Sequence, residues 1–249
     1  MPVTDAMVRS LDLKPGQRVL ELACGPGDTG FVAATEVAPG GMLISSDGAE
    51  AMVEVARSRA AAAGLANIEH RQLELEWIDL PAADVDAVLC RWGIMLIVDP
   101  AAAAREIRRV LRPGGRAALA VWDLPDRNPW ATIPSSAMVQ LGHAERPNPE
   151  APGMFALAAP GRLATLLADA GFADVEVRPV ELSRRYRSLE EYVEETAEVS
   201  PLFSAKWEEL DAAQRAEIAR LIAAGAEPYT APDGSVALPG SSLIATALA

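Results

Sequence analysis

Short apolar runs alternate with segments of helical periodicity along the first half of the chain. Apolar runs bounded by glycine, proline or acidic residues are typical of buried parallel strands. The pattern predicts strands at 18–22, 42–46, 68–72, 85–90 and 116–122, and helices at 4–11, 29–35, 49–63 and 99–111. Strands that alternate with helices at this spacing indicate an α/β fold with a doubly wound, mostly parallel sheet.

Residue types at the helix ends predict where several helices start and stop. Thr4 is expected to cap the first helix, and Asp99 with Pro100 to begin the fourth. Gly64 is expected to end the third helix in the left-handed conformation. The apolar stripe expected on that third helix comprises Met52, Val55, Ala56 and Ala60.

The regular pattern loosens after residue 123. The proline-rich segment 124–159 carries one predicted helix, at 135–141. The remaining elements predicted are helices at 161–170, 188–199 and 211–224, and strands at 175–180 and 243–248. We expect a single domain over 1–249, with two insertions at about 124–160 and 184–230 that form a lid and select the substrate.

The turn that follows the first strand is the most informative motif. Strand 19–22 leads directly into Gly25-Pro26-Gly27, where the absent side chains let a ligand approach the backbone. Ligands of open α/β sheets bind at the carboxyl ends of the strands. With Gly30 the turn matches G-x-G-x-x-G, and Asp47 follows at about the 20-residue distance of a dinucleotide site. The motif predicts a cofactor crevice and leaves NAD(P) open as the cofactor.

Acidic residues near the strand ends favour a different cofactor. Glu21 lies inside the first strand, where a buried carboxylate costs free energy unless a cation or donor meets it. A ligand ammonium is one such partner, and NAD has none in that region. The acidic loop at 74–79 and the Leu-Arg-Pro-Gly-Gly turn at 111–115 complete the pattern.

Over residues 15–125 the chain resembles the class I S-adenosylmethionine-dependent methyltransferases. The similarity is strongest to the small-molecule branch related to quinone-biosynthesis C-methyltransferases. It implies a seven-stranded Rossmann-like fold, S-adenosylmethionine as cofactor, S-adenosylhomocysteine as product and no metal. It also implies a small acceptor, apolar or aromatic, and allows a homodimer.

The resemblance further implies which residues bind the cofactor. Asp47 would accept hydrogen bonds from both ribose hydroxyls, and Glu74 would read the adenine amino group. Glu74 stands where the family usually has aspartate, so Glu76 is an alternative for this role. The cofactor-binding set implied by the resemblance is Glu21, Ala23, Gly25, Gly27, Asp47, Gly48, Glu74, Leu75, Cys90 and Arg91.

Composition excludes several other classes of function. The net charge of −13 argues against nucleic acid as a partner, because phosphate binding needs a basic surface. No apolar run approaches the roughly 20 residues of a membrane span, and the N-terminus lacks an export signal, so we expect a cytoplasmic protein. Two histidines and two cysteines, scattered along the chain, do not make a zinc site. Cys24 and Cys90 are expected to be reduced.

Catalysis is expected to be an in-line displacement, for which a general base is optional. No residue is a secure base, and the catalytic candidates are His143 as a base, Arg91 as a substrate contact and Tyr186 as a wall of the substrate pocket. Two alternatives stay open at this point: an NAD(P)-dependent oxidoreductase using the same crevice, and a non-catalytic cofactor-binding subunit. The absence of a Tyr-x-x-x-Lys pair argues against the oxidoreductase. The chain begins close to the first strand, so we expect part of the lid to be missing or supplied by another subunit.

Overall fold

A computed structural model describes residues 2–146, 148, 151–199 and 201–249 of the chain. The described strands are β1 (Arg18–Leu22), β2 (Met42–Asp47), β3 (Ile68–Gln72), β4 (Val85–Arg91), β5 (Leu111–Trp122), β6 (Ala173–Tyr186) and β7 (Val236–Leu248). The described helices are α1 (Pro2–Leu11), α2 (Asp28–Glu36), α3 (Glu50–Ala62), α4 (Pro100–Val110), α5 (Pro129–Gln140), α6 (Arg162–Asp169), α7 (Leu189–Val199), α8 (Pro201–Glu209) and α9 (Ala212–Ala226).

The seven strands form one sheet in the order β3-β2-β1-β4-β5-β7-β6. Strands β1 to β5 pair in parallel, and β7 runs antiparallel to β5. This mostly parallel, seven-stranded arrangement confirms the predicted fold class. The strand order reverses between β1 and β4, and a reversal of this kind opens a crevice at the carboxyl ends of the two strands.

The described residues divide into two compact units. The first unit comprises the described residues of Met1–Asp123, Pro149–Val180 and Ser242–Ala249. The second comprises those of Leu124–Asn148 and Glu181–Ser241. The single domain and the two lid insertions expected from the sequence remain predictions.

The core of the first unit lies in the central strands. Most residues of β1 and β4 are apolar, and Val19, Leu20 and Leu89 are fully buried. Each such side chain contributes roughly 1.5–3 kcal/mol to the free energy of unfolding. Two adjacent strands of this kind fix the register of the sheet, which in turn fixes the residues at their carboxyl ends.

Two of the three expected helix ends are confirmed, and one is wrong. Asp99 accepts a hydrogen bond from the N–H of Ala102 at 2.8 Å, and Pro100 is the first residue of α4. Gly64 has φ +71° directly after the end of α3. Thr4 does not cap α1, because the helix begins at Pro2 and the buried Thr4 hydroxyl instead meets that of Thr29 at 3.2 Å.

The apolar stripe of α3 also differs from the expectation. The helix buries Val53, Ala56 and Ala60, whereas Met52 is 39% exposed and Val55 is 41% exposed. Positions 53, 56 and 60 lie on one face at helical spacing. Ala56 and Ala60 of the predicted stripe are therefore confirmed, whereas Met52 and Val55 are wrong and Val53 is buried instead.

Several elements are longer than predicted. β5 begins at Leu111 rather than 116, since Leu111 pairs with Val85 before a register shift resumes the ladder at Arg116. α5 begins at Pro129 rather than 135 and contains Pro134. Helix α8 was not predicted. Across the described part of the chain, no helix is long and apolar enough to cross a membrane.

Candidate functional site

The turn after β1 is held in a conformation that disfavours ordinary side chains. Ala23, Gly25 and Gly27 have φ values of +51°, +51° and +92°. A Cβ placed on Gly25 would meet nothing within 4 Å, so that residue faces open space. A Cβ on Gly27 would lie 2.6 Å from the ring of Phe31. The turn therefore presents bare backbone to an open side, as ligand approach requires.

Glu21 lies beneath this turn and is committed to partners within the chain. It is 2% exposed; its Oε1 accepts from the N–H of Gly30 at 2.7 Å, and its Oε2 accepts from the hydroxyl of Ser45 at 2.9 Å. Burial raises the pKa of Glu21 to about 7. A Cβ on Gly30 would lie 2.0 Å from Oε2. Glu21 thus joins β1, β2 and the start of α2.

Asp47 connects the same turn to the end of β2. Its Oδ2 accepts a hydrogen bond from the N–H of Gly25 at 2.9 Å, and its Oδ1 accepts from that of Ala49 at 3.0 Å. Ala49 is the N-cap position of α3, so Asp47 does not cap that helix. A carboxylate offers about four acceptor positions, which leaves capacity on Asp47 for further donors.

Glu74 lies next to Asp47 in space. It is exposed, and its Oε2 is 3.0 Å from the point that a Cβ on Gly48 would occupy. Leu75 is buried. Glu76 turns elsewhere, since its Oε1 is 3.4 Å from the backbone nitrogen of Asp99. Of the two acidic residues, Glu74 is therefore the one beside Gly48.

The end of β4 comes close to the turn after β1. A Cβ on Gly93 would lie 2.4 Å from the Cβ of Ala23 and 3.0 Å from the sulfur of Cys90. Only glycine permits this approach. Cys90 is fully buried, and burial raises the pKa of Cys24 and of Cys90 to about 12. Both residues are free thiols, and a thiol with so high a pKa is not a nucleophile near neutral pH.

Arg91 and two tryptophans lie where β4 and β5 end. The Arg91 guanidinium carbon is 4.5 Å from the centre of the Trp92 ring, and Trp92 stacks on Trp122 with centres 4.2 Å apart. Trp92 Nε1 donates to the hydroxyl of Ser242 at 2.9 Å. Burial lowers the pKa of Arg91. Its ion-pair contact is to Asp28, at 3.8 Å.

The carboxyl ends of β1, β2 and β4 thus bring together most of the residues expected in the cofactor set. The side chains of Leu75 and Cys90 are buried, which leaves their backbone for contact. Sequence reasoning missed Asp28, which lies at the first position of α2 and pairs with Arg59 at 2.8 Å. Its place directly after the glycine turn was the available signal.

Two of the catalytic candidates belong to the second unit. Tyr186 is 4% exposed, its hydroxyl lies 3.4 Å from Glu195 Oε1, and its pKa is raised by burial. Arg184 pairs with the same oxygen at 2.7 Å and lies 3.8 Å over the ring of Trp130. His143 follows α5 and donates its backbone N–H to the carbonyl of Met138 at 2.8 Å. Within the second unit, Tyr186 is therefore part of a packed cluster.

In the described ranges there is no group of three or more histidine, cysteine or acidic side chains that could hold a metal ion. The polar groups at the strand ends are carboxylates, backbone amides and one guanidinium. Such a set can bind hydroxyl, amine and carboxylate groups of an organic ligand.

Comparison with known proteins adds a family to this geometry. A family model described as "Methyltransferase domain" matches residues 13–171. Nocamycin O-methyltransferase of Saccharothrix syringae is 32% identical over 201 residues, covering 77% of this chain and 72% of that protein. Demethylmenaquinone methyltransferase of Symbiobacterium thermophilum is 38% identical over 111 residues, 44% of each chain. Several curated relatives are thus matched over less than half of their length.

A solved structure extends the likeness over the whole chain. The YcgJ protein of Bacillus subtilis superposes with a TM-score of 0.67 and covers 99% of this chain and 97% of its own. The two sequences are 17% identical, so this likeness concerns the fold alone.

Proposed function

Because this chain belongs to the methyltransferase-domain family, we propose that it transfers a methyl group from S-adenosylmethionine to a small-molecule acceptor. The observation that carries this proposal is the crevice at the strand-order reversal. There the open face of Gly25 is bordered by Asp47, and Gly48 and Glu74 lie directly beyond. A nucleoside fits this arrangement, since its hydroxyls and amino group are donors and the crevice presents acceptors.

The residues present fit the cofactor in their chemistry. Asp47 would hold the ribose hydroxyls, Glu74 the adenine amino group, and the bare backbone at Gly25 and Gly27 the amino-acid end. Glu21 acts indirectly in this proposal, because both of its oxygens already bind Gly30 and Ser45. When bound, the cofactor supplies a sulfonium-activated methyl group.

The protein's own task is then to position the two reactants. Fixing donor and acceptor at near-attack distance can lower the barrier by roughly 7–11 kcal/mol. A general base would add about 10²–10⁴-fold where the acceptor must lose a proton. The groups at the strand ends are positioning groups rather than a base, which suits an acceptor that arrives already ionised.

The two alternatives have weaker support. An NAD(P)-dependent oxidoreductase could use the same glycine turn, but the family match and the relatives named above do not favour it. A non-catalytic cofactor-binding subunit would keep the crevice without turnover. Methyl transfer by the purified chain to any acceptor would exclude a non-catalytic role.

The nature of the acceptor follows from the relatives as a proposal. The names of these relatives describe methylation of nocamycin and of demethylmenaquinone. We therefore propose a small, apolar or aromatic acceptor. We further propose that the segments at about 124–160 and 184–230 form a lid, that the protein is a homodimer and that it is cytoplasmic.

Calorimetric titration tests the cofactor assignment. The wild-type chain should bind S-adenosylmethionine and S-adenosylhomocysteine with micromolar affinity. Asp47→Ala should weaken both by about 10- to 100-fold, because it removes hydrogen bonds to a charged acceptor worth about 1.5–3 kcal/mol.

Asp86→Ala is the matched control. Asp86 also accepts a backbone N–H, that of Arg18 at 2.8 Å, but at the amino end of β4. The affinity of this variant should stay within about threefold of wild type, or roughly 0.6 kcal/mol. Unchanged binding by the Asp47 variant would contradict the ribose assignment.

A further inference from the structure

Arg91 is a largely buried cation without a hydrogen-bond acceptor. Its side chain is 14% exposed, yet it donates no hydrogen bond to any residue that the structure describes. The nearest paired carboxylate oxygen, on Asp28, is 3.8 Å away, beyond hydrogen-bond distance. A guanidinium has five N–H donors, and the Arg91 nitrogens are not fully buried, so these donors are available to solvent or to a ligand.

Other arginines of the chain that are more exposed are nevertheless paired. Arg18, with 31% of its side chain exposed, donates to Asp84 at 3.2 Å. Arg184, with 25% exposed, donates to Glu195 at 2.7 Å. Arg91 therefore differs from these two partly buried arginines, which donate hydrogen bonds to carboxylates.

Neither of the two acidic groups near Arg91 accepts a hydrogen bond from it. Asp28 Oδ1 pairs with Arg59 at 2.8 Å, and both oxygens of Glu21 accept hydrogen bonds from Gly30 and Ser45. These groups hold the positive charge in place without satisfying its donors. The guanidinium belongs to the last residue of β4, at the edge of the sheet where a ligand is expected.

The guanidinium packs on one of two stacked indoles. Trp92 and Trp122 stack with an interplanar angle of 13°, and Arg91 lies over the Trp92 ring. Trp92 adopts φ +62°, and its N–H donates to the carbonyl of Ala120 at 2.8 Å, which ends the strand in a sharp turn. A positive φ is costly for a bulky residue, so this turn maintains a particular placement of Arg91 and Trp92.

We propose that Arg91 determines acceptor specificity by binding an anionic oxygen of the acceptor, that of an ionised enol, phenol or carboxylate. This inference rests on the methyl-transfer function proposed above. A planar guanidinium binds such oxygens with paired, charge-assisted hydrogen bonds. If that oxygen is the nucleophile, it forms the new O–CH₃ bond while the S–CH₃ bond breaks and its electron pair stays on sulfur. The sulfonium and the oxyanion both become neutral, so no proton has to be removed.

A matched pair of small molecules tests the proposal. The probes are 2-hydroxy-1,4-naphthoquinone, a flat acidic enol that is anionic at pH 7, and its neutral 2-methoxy ether. Each is titrated into the chain, with and without S-adenosylhomocysteine, and the visible absorbance or calorimetric heat is followed. The wild type should prefer the anion by at least about tenfold, the ratio that one charge-assisted pair supplies.

Variants at Arg91 assign the preference to its charge. Arg91→Met, which keeps length but removes charge, should bring the two probes to about equal affinity, and Arg91→Lys should retain part of the preference. Arg59→Met is the control, since Arg59 contacts the same Asp28 from the exposed helix α3 and should leave the preference intact. A preference that survives in Arg91→Met, or that the wild type lacks, overturns the proposal.

One further arm separates the acceptor from the cofactor. S-adenosylmethionine and 5′-methylthioadenosine, which lacks the amino-acid end, are titrated into wild type and Arg91→Met. Similar cofactor affinity in both proteins supports the acceptor assignment. If Arg91→Met weakens only S-adenosylmethionine, Arg91 binds the cofactor carboxylate and the acceptor assignment is overturned. Failure of the wild type to bind S-adenosylmethionine at all would refute the proposed function instead, while the naphthoquinone preference would still report on Arg91.

Discussion

The turn after β1 and the end of β4 lie side by side but satisfy their polar groups in opposite ways. In the turn, Glu21 and Asp47 each accept two hydrogen bonds from the protein. At the end of β4, the donors of Arg91 lack such partners. One region is therefore assembled before any ligand arrives, and the other is completed by a ligand. The contrast suits a fixed cofactor beside a variable acceptor.

The largest effect should come from breaking the assembled region. Gly30→Ala would place a Cβ 2.0 Å from the Glu21 carboxylate, and the strand and helix would have to separate. We expect a loss of about 3 kcal/mol in the free energy of unfolding, the upper part of the range for overpacking. Chemical denaturation measures it.

Gly153→Ala provides the comparison for that variant. A Cβ on Gly153 would meet only the carbonyl of Ala151, at 4.0 Å. Its effect should stay within about 0.5 kcal/mol. Equal stability of the Gly30 and Gly153 variants would show that the contact between Glu21 and α2 is not tightly packed.

A smaller effect, dependent on pH, should come from neutralising Glu21. Burial raises the folded pKa of Glu21 to about 7, above the 4.5 of a solvent-exposed glutamate, so the folded state holds a proton that the unfolded state has released. The stability contributed by this group is complete below pH 4.5 and is lost as the pH rises to 7.

Glu21→Gln removes this dependence while keeping an acceptor for Gly30. Between pH 5 and pH 8 the variant should therefore gain about 2–3 kcal/mol relative to wild type. Denaturation curves of both proteins across that range measure the gap. A gap that does not change with pH would mean that Glu21 titrates normally.

The smallest effect should come from the helix that follows β4. Asp99→Ala removes the cap of α4 and should cost about 1 kcal/mol of stability. Because Asp99 touches neither the glycine turn nor Arg91, affinity for S-adenosylmethionine should stay unchanged. A large loss of affinity would show that the end of β4 depends on α4 for its shape.

The sequence predicted best those structural features that are determined by residues close together in the chain. Strands β1 and β4 are short, mostly apolar runs, and helices α3 and α4 have a glycine and an aspartate with clear local roles at their ends. Contacts between residues far apart in the chain could not be predicted from the sequence. Thr4 resembles a cap in sequence, but its hydroxyl meets Thr29, which only the packing of α1 on α2 brings near.

The same limit applies to the candidate site. The sequence placed Glu21 near a cofactor ammonium because a buried acid needs a partner. The partners available in the structure are Gly30 and Ser45, and the second of these lies on a neighbouring strand. The sequence also could not predict that the Arg91 donors lack a protein acceptor, since no local pattern shows that a guanidinium is without one.

The stacked indoles of Trp92 and Trp122 also give this part of the sheet an optical signature. Two indoles with ring centres 4.2 Å apart couple their excited states, and the coupling contributes a band to the circular dichroism of the protein. A charged or aromatic guest that settles against Arg91 would shift that band. The protein thus carries its own label-free reporter of occupancy, suited to screening acceptor candidates before any turnover assay exists.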